Sequence, residues 1–212
     1  MIAARFEITI SPAVAERALG RANVAPTQSV LTVVYGEDGS REAVLARFGL
    51  APAWAKLRGG PSLFNARDAK LATSGGVEAA GGVRGVPGAD RRRRLLRVAE
   101  ARGPHAAKQP FYHRLSDGDP FAFAGLWTTA TPKDAEALIT SCSIITSAAN
   151  REVRVVHDRM PVILDGPDAE AAWLSPDVDL DCALEFVHPF PDGRLEVYPV
   201  SPQVNNAGNE GL

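Results

Sequence analysis

The chain has 212 residues, of which 45% are hydrophobic and 23% charged, and this composition is ordinary for a globular protein with a substantial core. Its formal net charge of −2 excludes a uniformly basic DNA-coating protein, so any DNA site must be a local patch. With no long apolar run, no signal-peptide pattern and only two cysteines, we expect a cytoplasmic protein without membrane contact, metal or cofactor.

Helix and strand signals alternate irregularly along the chain. Ser11 and Pro12 predict a helix start, and Gly20 ends a short helix over residues 13–19. Two more short helices, each beginning at an aspartate, are predicted at 168–174 and 177–186. Runs rich in β-branched and aromatic residues predict strands at 30–35, 43–48, 111–114, 121–127, 143–146, 162–164 and 195–200. This order, without regular βαβ alternation, predicts one α+β domain over residues 1–212, built around β-sheet.

Residues 74–103 break the pattern. They begin glycine-rich and continue into an arginine block, with little periodicity and no aromatic residue. The simplest interpretation is a flexible surface loop. An arginine arm that contacts DNA is the alternative.

Two short motifs carry groups suited to chemistry. His157-Asp158-Arg159-Met160-Pro161 lies between two predicted strands, where a histidine could move protons near neutral pH. Asn65-Ala66-Arg67 offers an amide, which can orient a sugar, beside a guanidinium, which can grip a phosphate. A turn residue next to a surface arginine remains the alternative for this second motif.

Proline-bounded turns carry the remaining candidates. Asn23 and Pro26 lie in the first such turn, and Phe48 and Trp54 flank the second. Exposed aromatic rings can stack on unpaired bases, whereas buried rings fill a core. The chain has no Walker loop, no G-x-G-x-x-G after a strand, no H-E-x-x-H and no G-x-S-x-G, which excludes the corresponding hydrolases and dehydrogenases.

In this order, the motifs resemble those of the abasic-site-processing (SOS-response-associated peptidase) family over nearly the whole chain except 74–103. The matching motifs are Arg5-Phe6, Asn23-Val24-Ala25-Pro26, Phe48-Gly49-Leu50-Ala51-Pro52, Asn65-Ala66-Arg67, Lys108-Gln109-Pro110-Phe111, Ala124-Gly125-Leu126-Trp127, Ile145-Thr146, His157-Asp158-Arg159-Met160-Pro161, Pro199-Val200-Ser201 and Val204-Asn205-Asn206.

The resemblance implies a mixed-sheet, β-barrel-like core with a few flanking helices and a narrow groove for single-stranded DNA. In the family, self-removal of Met exposes an N-terminal cysteine, whose amine and thiol condense with the aldehyde of an abasic site. The product is a stable thiazolidine, since the thiolate closes a ring that resists hydrolysis. By position, Asn65 would hold the opened sugar and His157 would move protons. The resemblance implies DNA contacts for Arg5, Asn23, Pro26, Phe48, Trp54, Arg67, Thr146 and Arg159.

The chain departs from the family at two places. Ala3 stands at the position of the cysteine, so the crosslinking step is expected to be impaired. The central motif, Cys-Leu-Val-Pro followed by Asp-Gly-Phe-Tyr-Glu-Trp, is missing, and Glu100 is the one residue that could align with its catalytic glutamate. Residues 86–89 and 93–99 can each be coded so that a shift of one base reads parts of this motif. We therefore hypothesise that residues 74–103 are an out-of-frame stretch.

Three functions follow as alternatives. The first is binding and processing of abasic sites in single-stranded DNA, by a monomer that associates with the nucleoid when it acts. The second is a degenerate paralogue that binds single-stranded DNA without the chemistry. The third is a general peptidase, for which Ser201 and His157 would be the candidate pair.

Overall fold

The computed structural model describes residues 2–18, 23–36, 40–60, 63–71, 83–87, 97–99, 109–206 and 208–209, and for 83–87 and 97–99 it describes the backbone alone. The strands are β1 (Ser29–Tyr35), β2 (Arg41–Phe48), β3 (Asn65–Arg67), β4 (Val83–Pro87), β5 (Arg97–Ala99), β6 (Gln109–Leu115), β7 (Ala122–Phe123), β8 (Gly125–Ala130), β9 (Ile139–Ala148), β10 (Arg159–Pro161), β11 (Ile163–Leu164) and β12 (Leu195–Pro199). The helices are α1 (Ile2–Phe6), α2 (Pro12–Ala18), α3 (Asp68–Leu71), α4 (Arg151–Arg154), α5 (Gly166–Leu174) and α6 (Leu180–Leu184), with a 3-10 helix at Pro202–Asn205.

The main sheet is mixed and curls around the long strand β9. One edge of β9 pairs in parallel with β2 and then with β3, and its other edge pairs antiparallel with β8 and then with β10. Because β2, β1, β4 and β8 also pair in that order, the path of pairings returns to β9. The β1–β4 and β2–β9 ladders have two residue pairs each, so the core is barrel-like without being a fully hydrogen-bonded barrel. This confirms the predicted α+β fold with a mixed-sheet core.

Two apolar clusters fill the space beneath the sheets. The first joins β1, β8 and β9 to helix α5 and includes Val33, Leu126, Ile145 and Trp173. The second lies between α4 and the β6–β12 ladder and centres on the buried Phe190. Of the described helices, none has the length and apolar character needed to cross a membrane.

The differences from the predicted elements have local causes. The predicted strand 121–127 is interrupted at Ala124, whose N–H donates to the Val162 carbonyl while its own carbonyl accepts from Ile145. The predicted helix 177–186 is shorter, because the Asp179 carboxylate accepts from the Cys182 N–H and caps it there. Residues 83–87 and 97–99 form strands where the sequence predicted none. A strand needs only backbone partners, so hydrophobic patterning did not reveal them.

Candidate nucleic-acid interface

Four predicted site residues share one face of the sheet. In the β3–β9 ladder, Asn65 lies opposite Ile144 and Arg67 lies opposite Thr146, while in the β10–β9 ladder Arg159 lies opposite Ala148. Residues directly opposite each other in a ladder point to the same face, and side chains two apart along a strand do so as well. Asn65, Arg67, Thr146 and Arg159 therefore project from one face, which we call the β3–β9–β10 face.

The other side of the same strands belongs to the core. Ala66 and Ile145 pack in the first apolar cluster, and Met160 is fully buried in the second. Since strand side chains alternate, this burial fixes which residues remain on the β3–β9–β10 face.

Arg159 is held tightly on this face. Its Nη2 donates to Asp68 Oδ1 at 2.9 Å and to Thr146 Oγ1 at 3.1 Å, and it also donates to the Thr146 carbonyl. Its Nε is buried without a hydrogen-bond partner among the described residues. Several acceptors together thus fix the position of Nη2. Because the guanidinium is planar, they also fix the orientation of the whole group.

His157 has a defined hydrogen bond on one ring nitrogen. Its Nδ1 lies 2.9 Å from the backbone nitrogen of Arg159 and 2.9 Å from Asp158 Oδ1. A backbone N–H can only donate, so Nδ1 accepts, and the neutral ring carries its proton on Nε2. The Asp158 carboxylate is highly exposed and can accept from this nitrogen only when the ring is protonated. In the neutral ring, the backbone N–H of Arg159 therefore sets the orientation of the imidazole.

Asn65 and Arg67 are both exposed. The Arg67 side chain makes no ion pair or hydrogen bond to another described residue.

Just before Asn65, the ring of Phe64 packs on the ring of Phe48 with centroids 5.9 Å apart. Gly49 lies against this pair with φ of 122°, and a Cβ there would come within 2.7 Å of the Phe64 ring, so glycine is required. Phe48 is thus half-buried and supports the strand that carries Asn65.

Arg5 is engaged by a carboxylate. Its Nη1 and Nη2 donate to the two carboxylate oxygens of Glu170 at 2.8 and 2.9 Å, and Glu170 on α5 is only 2% exposed. Ala3, on the same short helix, is half-buried against the first apolar cluster, and its carbonyl accepts from the Ile8 N–H. The predicted phosphate contact of Arg5 would therefore have to compete with a buried ion pair.

The remaining predicted residues lie apart from these ladders. Asn23 is buried and its Nδ2 donates to the carbonyls of Val204 and Asn206 at 2.7 and 3.1 Å, which ties the C-terminal segment down. Pro26 is exposed in a turn, and Trp54 is 50% exposed. Glu100 lies outside the described residues. Ser201, a candidate in the peptidase alternative, caps the 3-10 helix through the Gln203 N–H.

Neither cysteine offers an activated thiolate. Cys142 is buried in β9, and desolvation raises the pKa of its thiol to about 12. Cys182 is exposed, and the nearby Asp179 carboxylate raises the pKa of its thiol as well. Within the described part of the chain, no three His, Cys, Asp or Glu side chains gather as they would around a metal ion.

Sequence reasoning missed two carboxylates that hold arginines. Asp68 follows the Asn65-Ala66-Arg67 motif directly, so its position beside that motif was an available signal. Glu170 lies in the middle of α5, more than 160 residues from Arg5 in sequence, and only the folded chain brings the two together.

The chain is similar to known proteins over most of its length. It matches the family described as SOS response associated peptidase (SRAP) over residues 1–81 and 99–207. YoqW of Bacillus subtilis, named an abasic site processing protein, is 33% identical over 190 residues, which cover 88% of this chain and 81% of YoqW. YoaM of the same organism has the same description and is 32% identical over 198 residues, covering 88% of this chain and 80% of YoaM.

The fold is also found among solved structures. A crystal structure of a protein from Bordetella bronchiseptica superposes with a TM-score of 0.68 at 22% identity, covering 84% of this chain and 86% of that chain. At this identity the likeness concerns the fold alone. The internal stretch between the two matched ranges, residues 82–98, falls inside the atypical segment 74–103.

Proposed function

The chain belongs to the SOS response associated peptidase (SRAP) family, and from that premise we propose that it binds single-stranded DNA at abasic sites and processes them. The observation that carries the proposal is the β3–β9–β10 face. An exposed amide, a guanidinium without a partner among the described residues and an anchored guanidinium lie together there. Phosphate contacts by such arginines position a strand without reading its sequence, which suits recognition of a lesion.

Three of the predicted site residues have a chemical role in this proposal. Arg67 grips a phosphate with two parallel N–H bonds, and Asn65 bonds to the sugar hydroxyl. His157 acts in its imidazolium form, with Nδ1–H paired to Asp158 Oδ1. It donates the Nε2 proton to the ring oxygen of the abasic sugar as the bond between that oxygen and C1′ breaks, which leaves a neutral imidazole. The C1′ hydroxyl loses its proton to water, and the open aldehyde results.

The covalent step is restricted by Ala3. The N-terminal amine can attack C1′ of the aldehyde, and loss of water then gives an imine. A thiol would close the thiazolidine ring, but Ala3 supplies none, and the buried Cys142 has a pKa raised to about 12. The imine therefore remains open to attack by water, which returns amine and aldehyde.

A denaturing gel tests the proposal directly. The full chain is mixed with a single-stranded oligonucleotide carrying one abasic site, with and without borohydride, and a control oligonucleotide carries a tetrahydrofuran analogue that has no aldehyde. We expect a shifted band only with the aldehyde and only after reduction. Native binding assays in parallel should show preference for single-stranded over duplex DNA. Equal binding of both forms would contradict the proposed recognition of single-stranded DNA by this face.

A second candidate is a paralogue that binds single-stranded DNA without processing it. Ala3 at the nucleophile position favours it, because binding by Arg67 and Arg159 needs no thiol. The same gel separates the two functions: binding in the native assay without any borohydride-trapped band indicates the second. A casein digest tests the peptidase alternative, for which the described residues provide no added support.

A further inference from the structure

Asp68 and Arg159 form an ion pair within the proposed DNA-binding face, and it affects how that face meets a phosphate. We propose, on the basis of the proposed function, that Asp68 limits the affinity of the β3–β9–β10 face for single-stranded DNA by neutralising Arg159. Arg67 is then the arginine of this face that no described carboxylate neutralises.

Asp68 places a negative charge beside Arg159 but is not needed to hold Arg159 in position. Arg159 Nη2 is 2.9 Å from Asp68 Oδ1, but the same nitrogen also donates to both oxygens of Thr146. Thr146 is buried in β9 and cannot move away. The guanidinium therefore has an anchor that does not depend on Asp68, and what Asp68 adds is its negative charge.

The Asp68–Arg159 pair is partly shielded from solvent. The side chains of Arg159 and Asp68 are 24% and 31% exposed, so solvent and salt screen the pair less than a pair on the open surface. Asp68 Oδ1 also accepts from the Ala69 N–H at 2.8 Å, which keeps the carboxylate in place. A phosphate that approaches Arg159 meets this fixed negative charge.

Arg67 provides the contrast within the same motif. It precedes Asp68 in the chain, is exposed, and forms no ion pair with any other described residue. Among the described residues the face thus holds two arginines and one carboxylate, and the carboxylate pairs with Arg159. Removing that negative charge should leave the positive charge of Arg159 uncompensated while Thr146 still holds the side chain in place.

The variant that isolates the charge is Asp68→Asn, because asparagine keeps an acceptor oxygen at nearly the same place. We measure binding of a fluorescein-labelled oligothymidine to the full chain over a range of salt concentrations. We expect Asp68→Asn to bind about two- to fivefold more tightly at low salt, the range typical of one partly exposed charge pair. The slope of log K against log salt should steepen by about 0.7, the value for one further phosphate contact on a single strand.

The matched control is Asp165→Asn. Asp165 pairs with Arg194 at 2.6 Å, at 39% exposure, and neither residue lies in the β3–β9–β10 ladders. Asp165→Asn changes the net charge of the protein by the same amount as Asp68→Asn. Because it does so outside the face, it should leave the slope of log K against log salt unchanged. If it tightens binding as much as Asp68→Asn, net charge explains the effect and the inference is wrong.

Further outcomes are equally decisive. Unchanged or weaker binding by Asp68→Asn, with an unchanged melting temperature, overturns the inference while leaving the proposed function standing. Should Asp68→Asn unfold, Asp68→Ser provides the same loss of charge with a smaller side chain. If the folded wild-type chain and both variants all fail to bind at low salt, the proposed function itself fails.

Discussion

Arg5 and Glu170 lie 165 residues apart in sequence and form a two-bond ion pair, with nitrogen–oxygen distances of 2.8 and 2.9 Å. Glu170 is 2% exposed, and the side chain of Arg5 is 25% exposed. The pair attaches the N-terminal helix α1 to α5. Ala3, which the proposed function places at the nucleophile position, is therefore held in place by an interaction made two residues further on.

Loss of this pair should destabilise the protein. Arg5→Ala leaves a buried carboxylate without its partner, and such changes cost about 3–5 kcal/mol when both groups are buried. Because Arg5 keeps some solvent contact, we expect a decrease of about 2–4 kcal/mol in the free energy of unfolding, measured with urea. The control Arg114→Ala breaks an exposed pair with Glu196 and should cost less than about 1 kcal/mol. Equal effects of the two changes would contradict this interpretation.

The pH dependence of stability should report on Glu170. Burial raises the pKa of Glu170 above its ordinary value of 4.5, although the Arg5 guanidinium acts in the opposite direction. The folded state then holds a proton that the unfolded state has released, so this contribution is complete below 4.5 and is lost as pH rises through the raised pKa. Wild type should lose stability relative to Glu170→Gln over that window in chemical denaturation. A relative gain would show that the pKa is lowered instead.

Arg67 should contribute to DNA affinity without sequence preference. It is exposed on the β3–β9–β10 face and phosphate contacts carry no sequence information, so Arg67→Ala should weaken binding of different single strands by the same factor. The slope of log K against log salt should become shallower by about 0.7. Fluorescence anisotropy over a salt series measures both quantities, with Arg114→Ala as the control. A change in the order of preference among sequences would indicate base contacts.

The two thiols should differ in accessibility. Cys142 is buried, and desolvation raises the pKa of its thiol to about 12, so it should not react in the native chain at about pH 8. Cys182 is exposed and should react, although more slowly than a free thiol because Asp179 raises its pKa. Titration with a chromogenic disulfide should count one thiol before and two after denaturation. A native count of two would mean that β9 opens readily.

A restored nucleophile should give partial crosslinking. Replacing residues 1–4 with Met-Cys-Gly supplies the thiol that Ala3 lacks, and a heat-stable band with abasic single-stranded DNA should then appear. We expect a weak band, because the central motif that holds the family's glutamate is missing from residues 74–103. Asn65→Ala in the restored chain should reduce it further. A robust heat-stable band from the unmodified chain would show that a different residue acts as nucleophile.

The origin of residues 74–103 remains a separate hypothesis. An out-of-frame stretch is expected to be poorly packed, with Leu95, Leu96 and Val98 outside the core. Within this segment the structure describes the backbone of 83–87 and 97–99, where Val98 lies in β5 opposite Pro110, whereas Leu95 and Leu96 lie outside the described residues. Resequencing the coding DNA across residues 70–110 tests the proposed frame change. An intact reading frame would leave the glycine- and arginine-rich segment as a true feature of this chain.

Local sequence signals were sufficient for much of the sheet. Residues 30–35 are rich in valine, and β1 covers them almost residue for residue. The grouping of Asn65, Arg67, Thr146 and Arg159 on one face required the register of three strands, which no local signal contains. The partner of Arg5 could not be predicted either, since a glutamate within an alanine-rich helix looks like an exposed residue until the helix is packed. Asn23 was expected at DNA because of its motif, whereas its amide is used to bind backbone carbonyls near the C-terminus.

The long strand β9 couples correct folding of the core to formation of the β3–β9–β10 face. Ile145 points into the core and Thr146 points to the face, so a shift of one residue in the register would exchange them. A misregistered chain would lose the anchor of Arg159 and the core contacts of Ile145 together. Under the proposed function, retained binding of single-stranded DNA would therefore also report a correctly packed core.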